Sequence, residues 1–355
     1  MGRFEPSADP LDAVTRGFYV PRPGRSIAEQ LAARFELKPS ASHLLIGGVG
    51  SGKTTQLLVA RERLARNEDV RALYIDVSRY MEPANFWDSD DLLAIVGIEL
   101  IYSLTPHEQA RHQSLLRGFK YSIEVESPGD HILAGKLEEI IGERGRRGHE
   151  YILFIDALDR LSNLERFSKI VESAVATLRA FDLGVVLVGP LTALYGIERV
   201  ILDRFDRVWH LPSVDVQDDE QGRGFLRDVL RARDTHNLIS GAAVEKLIRL
   251  SGGVLRDLMT LTQISGEEAY VDGAEKVESR HVDLAADAFG RKHLVAVDSE
   301  QLSALQGVRT KGTFVQTSEK HLALLATRRV LEYTNGQPRF AVHPTIEPLL
   351  AQIAG

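Results

Sequence analysis

The sequence predicts an α/β protein in which a parallel five-stranded sheet lies between helices, followed by an α-helical segment and a small helix–hairpin–helix module. Three observations carry this. Five short apolar runs alternate with long helical patterns, a glycine-rich loop joins the first run to a helix, and strand signals stop after Leu211-Pro212. A chain of 355 residues with 44% hydrophobic content can bury two or three folding units. The expected segments are 1–212, 213–290 and 291–355.

The first 40 residues are rich in proline and arginine, and Phe18-Tyr19-Val20-Pro21-Arg22-Pro23 lies close enough to the glycine loop to cover a bound base. A helical pattern begins at Ser26. The five strands are expected at His43–Ile46, Arg71–Asp76, Tyr151–Asp156, Gly184–Val188 and Arg207–Leu211. Strands separated by helices imply a parallel sheet covered on both faces. Between the second and third strands the chain is longer than one crossover needs, and Asp90–Ser103, His107–Arg117 and Ile132–Glu143 read as an inserted helical elaboration. Asp88, Asp90 and Asp91 suit the amino end of its first helix. Arg144, Arg146 and Arg147 read as a solvated turn.

Beyond Pro212 the patterns are helical at Asp219–Arg233, Ser240–Leu250, Val254–Tyr270 and Ser279–Ala288, which describes a lid. The end of the chain changes again. A helix at Glu319–Ala326, a turn signal at Asn335-Gly336 flanked by Val330, Tyr333, Phe340 and Val342, and a last helix near Ile346–Ile353 suggest a winged-helix module.

The run Gly47-Gly48-Val49-Gly50-Ser51-Gly52-Lys53-Thr54, preceded by Leu44-Leu45-Ile46 and continued by Thr55 into a helix, is a complete phosphate-binding loop. Its glycines let consecutive N–H groups curl around phosphates at the positive end of the helix. Lys53 is placed to neutralise the β and γ phosphates, and the Thr54 hydroxyl to hold Mg2+. The expected ligands are ATP or ADP with magnesium.

A buried apolar strand ending in a carboxylate supplies the second metal contact, and Tyr151-Ile152-Leu153-Phe154-Ile155-Asp156 provides it. Ala157 follows where a water-activating glutamate would help. Asp159 is the next acid; it can polarise water or pair with Arg160. The fourth strand runs into Gly189-Pro190-Leu191-Thr192, so Thr192 is a candidate phosphate sensor or a helix cap. Arg204, ahead of the fifth strand, suits a finger that completes a neighbouring subunit's site, while Arg207 enters the strand. Ser251-Gly252-Gly253-Val254-Leu255-Arg256 opens a lid helix, with Arg256 placed either to reach the phosphates or to pair locally.

With these residues quoted, the chain resembles the AAA+ ATPases, in particular the initiator branch related to the origin-recognition and transposition-regulator ATPases, and the signal-transducing STAND relatives. The matching pieces are GGVGSGKT at Gly47, YILFIDALDR at Tyr151, ILDRF at Ile201 and SGGVLRDL at Ser251. The resemblance implies a P-loop NTPase core, an α-helical lid and a trailing winged helix. It assigns Arg256 as the lid sensor and Arg204 as the intersubunit finger. Ala157 departs from the family's catalytic glutamate, and no clear polar sensor ends the fourth strand; the DxxDR form restores an acid at Asp159.

Together these readings give an ATP-driven switch, with slow hydrolysis unless assembled as a homo-oligomer. The alternative is a STAND-like signalling ATPase held on ADP with no DNA contact; a small-molecule phosphotransferase is a second rival. An Asn-Lys-x-Asp base-reading motif is lacking, which weakens a GTPase reading. Lys320, His321, Arg328, Arg329 and Arg339 could meet DNA phosphates from the winged module, which could instead dock protein. A net charge of −7 argues against a general nucleic-acid coat. No apolar stretch reaches the roughly 20 residues of a membrane span. Met1-Gly2-Arg3-Phe4-Glu5-Pro6 lacks a secretion-signal core, and no cysteine is present; a cytoplasmic protein is expected.

Overall fold

The computed structural model describes residues 4, 14–80, 88–124, 130–145, 148–161, 164–196, 199–334 and 339–353. Asn335-Gly336, Arg146 and Arg147, and all of Met1–Pro6 except Phe4, lie outside these residues. Packing divides the chain into two units. One comprises Ile27–Ile46 and Gln56–His210; the other comprises Met1–Ser26, Gly47–Thr55 and Leu211–Gly355.

The first unit is built on the sheet, with strands β1 (Ser42–Gly47), β2 (Val70–Asp76), β3 (Glu150–Asp156), β4 (Gly184–Gly189) and β5 (Arg207–Leu211) in the order β2-β3-β4-β1-β5. The β2–β3, β3–β4 and β1–β4 pairs are parallel. Every residue of β1 and β4 is buried. This two-sided burial is what their unbroken apolar runs imply. Glycine is needed where backbone approaches the sheet closely: a Cβ on Gly184 would run into the Pro39 carbonyl.

The elaboration between β2 and β3 is helical, as expected, and its first helix, Ser89–Tyr102, is almost wholly buried. Asp88 caps it in a reciprocal box with Asp91. The single helix expected over His107–Arg117 is two. Pro106–Arg111 starts on a Thr105–Glu108 capping box and stops at His112, whose backbone (φ −93°, ψ 15°) leaves the helical region; Gln113–Glu124 follows. A buried side chain at His112 ties this break to the packing.

In the second unit the lid helices are Glu220–Arg231, Gly241–Leu250, Leu255–Val271 and Ser279–Leu294. They close on a core that includes Phe225, Leu226, Leu247, Leu258, Leu261 and Phe289. The last lid helix runs past the expected Ala288, and the anticipated segment limit at 290 falls inside it. Gly290 is accommodated because its bare Cα faces the Thr345 carbonyl.

The end of the chain adds helices Ser299–Lys311, Glu319–Ala326 and Glu347–Ile353, with β6 (Val330–Tyr333) and β7 (Arg339–Val342) paired antiparallel. The Ser299–Lys311 helix is not among the expected elements, although Asp298 and Gln301 form a capping box at its start. Among the described residues no helix is long and apolar enough to cross a membrane.

Candidate nucleotide site

The phosphate loop follows directly from β1. Gly50 (φ +80°) and Gly52 (φ +96°) adopt the left-handed backbone that only glycine takes without strain, and a helix then begins at Lys53. Lys53 is buried, and its Nζ donates to the Gly47 and Gly48 carbonyls at 2.8 and 2.9 Å. Space is open beside Gly48, where an added Cβ would meet nothing within 4 Å. Among the described residues the buried Ser51 hydroxyl has no hydrogen-bond partner. Thr54 and Thr55 occupy the first turn of the Lys53–Leu64 helix. Glycine geometry, an inward lysine and a helix N-terminus together fit an anionic phosphate chain.

Two arginines reach the loop from elsewhere in the same unit. Arg256 lies on the first turn of the Leu255–Val271 helix, and its N–H approaches the Gly50 carbonyl at 3.3 Å. Gly50 is obligatory here, because any Cβ would collide with that of Arg256. The second is Arg22, which the sequence marks only as part of the segment expected to cover a base. Its Nη2 donates to the Ser51 carbonyl at 2.6 Å and its Nη1 to the Pro212 carbonyl at 3.1 Å. Its guanidinium lies 5.8 Å from the Phe225 ring centre, and burial pushes it down to about 10. The proline-arginine segment therefore braces the loop. An arginine between two prolines was the available signal.

In the sheet unit, Asp156 ends β3 and is buried. One carboxylate oxygen accepts from the Tyr74 hydroxyl at 2.9 Å and the other from the Ala157 N–H at 2.7 Å. Burial and the neighbouring Asp156 carboxylate raise Tyr74 well above the ordinary phenol value, so it remains a donor. Asp76 on β2 lies in register with Asp156 and accepts from Ser78 N–H and hydroxyl at 3.0 and 2.6 Å. Ala157 is left-handed (φ +72°), a conformation that costs a non-glycine residue about 1–2 kcal/mol. The chain turns there into a short 3-10 turn, Leu158–Arg160, that carries Asp159 half-buried and Arg160 exposed. Thr192 directly precedes the Ala193–Gly196 helix and accepts from Tyr195 N–H through its carbonyl at 3.1 Å.

Arg204 lies beside the start of β1. Its carbonyl meets Ser42 Oγ at the start of β1, and Asp206 accepts from Ser42 N–H at 2.8 Å. Burial alone would raise Asp206, but the Lys38 ammonium and the Ser42 N–H outweigh it and hold the carboxyl at about 2. β1 has six residues and so spans about 17 Å. The Arg204 side chain is exposed, and its guanidinium makes no hydrogen bond or ion pair among the described residues. Arg207 opens β5 and lies 4.3 Å over the Trp209 ring of its own strand.

The five basic residues expected to face DNA are engaged within the chain. Lys320 pairs with Asp298 and Glu300 at 2.7 and 3.2 Å, and His321 Nε2 lies 3.9 Å from Glu300. Arg329 donates to the His293 and Val295 carbonyls at 2.6 and 2.8 Å. Arg328 and Arg339 bind Asp257 and Asp215, each at 2.8 Å.

This is an α/β fold of P-loop NTPase type, followed by a helical segment. No protein-family model matches the chain, and no curated protein matches its sequence. Among solved structures it is similar to the ORC2 protein of Aeropyrum pernix in its ADPNP–ADP complexes, at TM-score 0.52 and 13% identity, over 96% of this chain and 98% of that one. It is likewise similar to a Walker-type ATPase of Pyrococcus abyssi, at TM-score 0.51 and 16% identity, over 94% and 99% of the two chains. At these identities the likeness is one of fold.

Proposed function

We propose that the chain is an ATP-binding switch of AAA+ type that hydrolyses ATP slowly unless it assembles. The carrying observation is the loop itself: Gly50 and Gly52 at positive φ, Lys53 turned into the loop, and Arg256 packed on Gly50. Lys53, Ser51 and the loop N–H groups would bind the phosphates, and Thr54 with Asp156 would hold the magnesium ion that offsets phosphate charge. Asp159 takes the water-polarising role that Ala157 cannot. Arg204, exposed beside the start of β1, serves a neighbouring copy.

For the C-terminal module a protein partner is the better reading. Its five candidate DNA-facing cations already have acids or carbonyls of the same chain as partners.

Titration with ATP and ADP tests the core of this reading. Lys53→Ala should weaken both by about a hundredfold, the weight of a buried charge-assisted contact; unchanged affinity would sink it. Sedimentation with ADP, ATP and a slowly hydrolysed analogue, with and without DNA, separates the roles. Assembly on ATP alone supports the switch, whereas an ADP-locked monomer favours the signalling alternative. A DNA-dependent assembly that weakens steeply with salt would overturn the protein-partner reading.

A further inference from the structure

The turn that delivers Arg256 is gripped from the C-terminal module. Tyr333 on β6 donates its hydroxyl to the Gly252 carbonyl at 2.8 Å, and Val254, Leu331 and Tyr333 form one apolar cluster. Any side chain at Gly252 would strike Leu331. From the other side, Val214 N–H donates to the Gly253 carbonyl at 3.1 Å. Gly253 (φ +76°) has no room for a Cβ against the Val214 carbonyl. Arg339 closes the frame by binding Asp215 at 2.8 Å and Gln217 at 2.9 Å while lying 4.5 Å over the Tyr333 ring.

The residue after Arg256 carries the firmest of these contacts. The Asp257 side chain is buried and receives both arms of Arg328, Nε to one oxygen at 2.8 Å and Nη2 to the other at 3.0 Å. His343, also buried, places Nε2 3.5 Å from the same carboxylate. Burial would raise Asp257, yet the His343 ring and the Arg328 guanidinium hold it below the usual carboxylate range. A two-pronged ion pair fixes the orientation of the carboxylate as well as its distance. Neighbouring residues on a helix are set about 100° apart and share one backbone, so turning the helix to move Arg256 must disturb the Asp257 pair. Arg256 and Asp257 therefore join the phosphate loop to the C-terminal module through a single helical turn.

We propose that Arg328 and Tyr333 are positioning residues for Arg256: the C-terminal module sets how the Leu255–Val271 helix presents Arg256 to the phosphates, and so sets the preference for ATP over ADP. This rests on the reading of Arg256 as a phosphate sensor. Coupling is reciprocal, so a protein that binds the module and loosens the Asp257–Arg328 pair would shift the bound nucleotide, and ATP would shift affinity for that protein.

The test is a set of ATP-analogue and ADP affinities on the full chain for wild type, Arg256→Ala, Arg328→Lys, Tyr333→Phe and the double variant Arg256→Ala/Arg328→Lys. Lysine keeps the charge of Arg328 but loses the second arm. It should lower the ATP-over-ADP preference roughly five- to tenfold, within the ordinary range of coupling between sites. ADP affinity should be unaltered. In the Arg256→Ala background, Arg328→Lys should change nothing further. Equal weakening of both nucleotides, or additive effects in the double variant, overturns the coupling. Should Arg328→Lys fail to fold, Tyr333→Phe removes one hydroxyl and carries the same expectation of a lowered preference. If Arg256→Ala itself leaves the preference untouched, the sensor reading fails and the proposal with it.

Discussion

Arg204 and Arg328 occupy the same local context and meet opposite fates. Each follows a short helix by two residues, Arg199–Leu202 and Glu319–Ala326, and each shortly precedes a strand, β5 and β6. Arg204 is exposed, and Asp206, two positions on, is taken by Lys38 and Ser42. Arg328 is largely buried against Asp257, a residue 71 positions away. A helix–strand junction supplies an arginine with reach; what decides its role is whether folding brings an acid without another strong partner beneath it.

The contrast can be broken at several points, in descending order of effect. Arg204→Ala should retain ATP binding and native stability yet lose assembly-stimulated hydrolysis by roughly a thousandfold, the low end of what a finger supplies. Single-turnover assays across a concentration series check this; an equal loss in dilute monomer counts against it. Arg328→Met should instead destabilise the fold by about 3–5 kcal/mol, because it strands a buried carboxylate. Asp257→Leu/Arg328→Met should recover most of that in urea unfolding.

Acid sensitivity sharpens the same comparison. Asp215 and Asp257 are held low in the folded chain: burial opposes this, but Arg339 and the Gln217 and Asp218 N–H groups lower the first, and His343 and Arg328 the second. Their folded pKa values lie below the unfolded value, so unfolding takes up protons. Their contribution is complete above about pH 4, the unfolded carboxylate value, and is lost as pH falls below it. The urea midpoint of wild type should therefore drop steeply below pH 4, and that of Asp257→Leu/Arg328→Met less so. Tyr333→Phe has the smallest effect, about 1 kcal/mol for a lost hydroxyl contact. Thermal unfolding measures it.

What could be read from the residues alone was whatever the backbone demands of residue identity. Glycines at 50 and 52 announce positive φ, and the alternation of strand and helix patterns announces the five strands; the paired glycines at 252 and 253 signal a close approach, but to Leu331 and Val214 and not to the phosphate loop. The break at His112 and the continuation of the last lid helix through Gly290 were not legible, since each depends on what packs against it. Side chains acting on distant backbone were equally hidden. Arg22 reaches Ser51 across 29 positions, and Tyr74 reaches Asp156 across 82; no local pattern records either pairing. The five C-terminal cations looked alike in sequence, and only tertiary contacts sort them into surface bridges and internal anchors.

The six residues of β1 hold one further consequence. Under the proposed finger role, a copy lends Arg204, beside the start of that strand, to one neighbour and receives an arginine from another. Two copies can then complete only one site between them, and an open row of n copies completes n − 1. Turnover per subunit would climb with row length and reach its ceiling only on closure into a ring, so the kinetics would report the topology of the assembly.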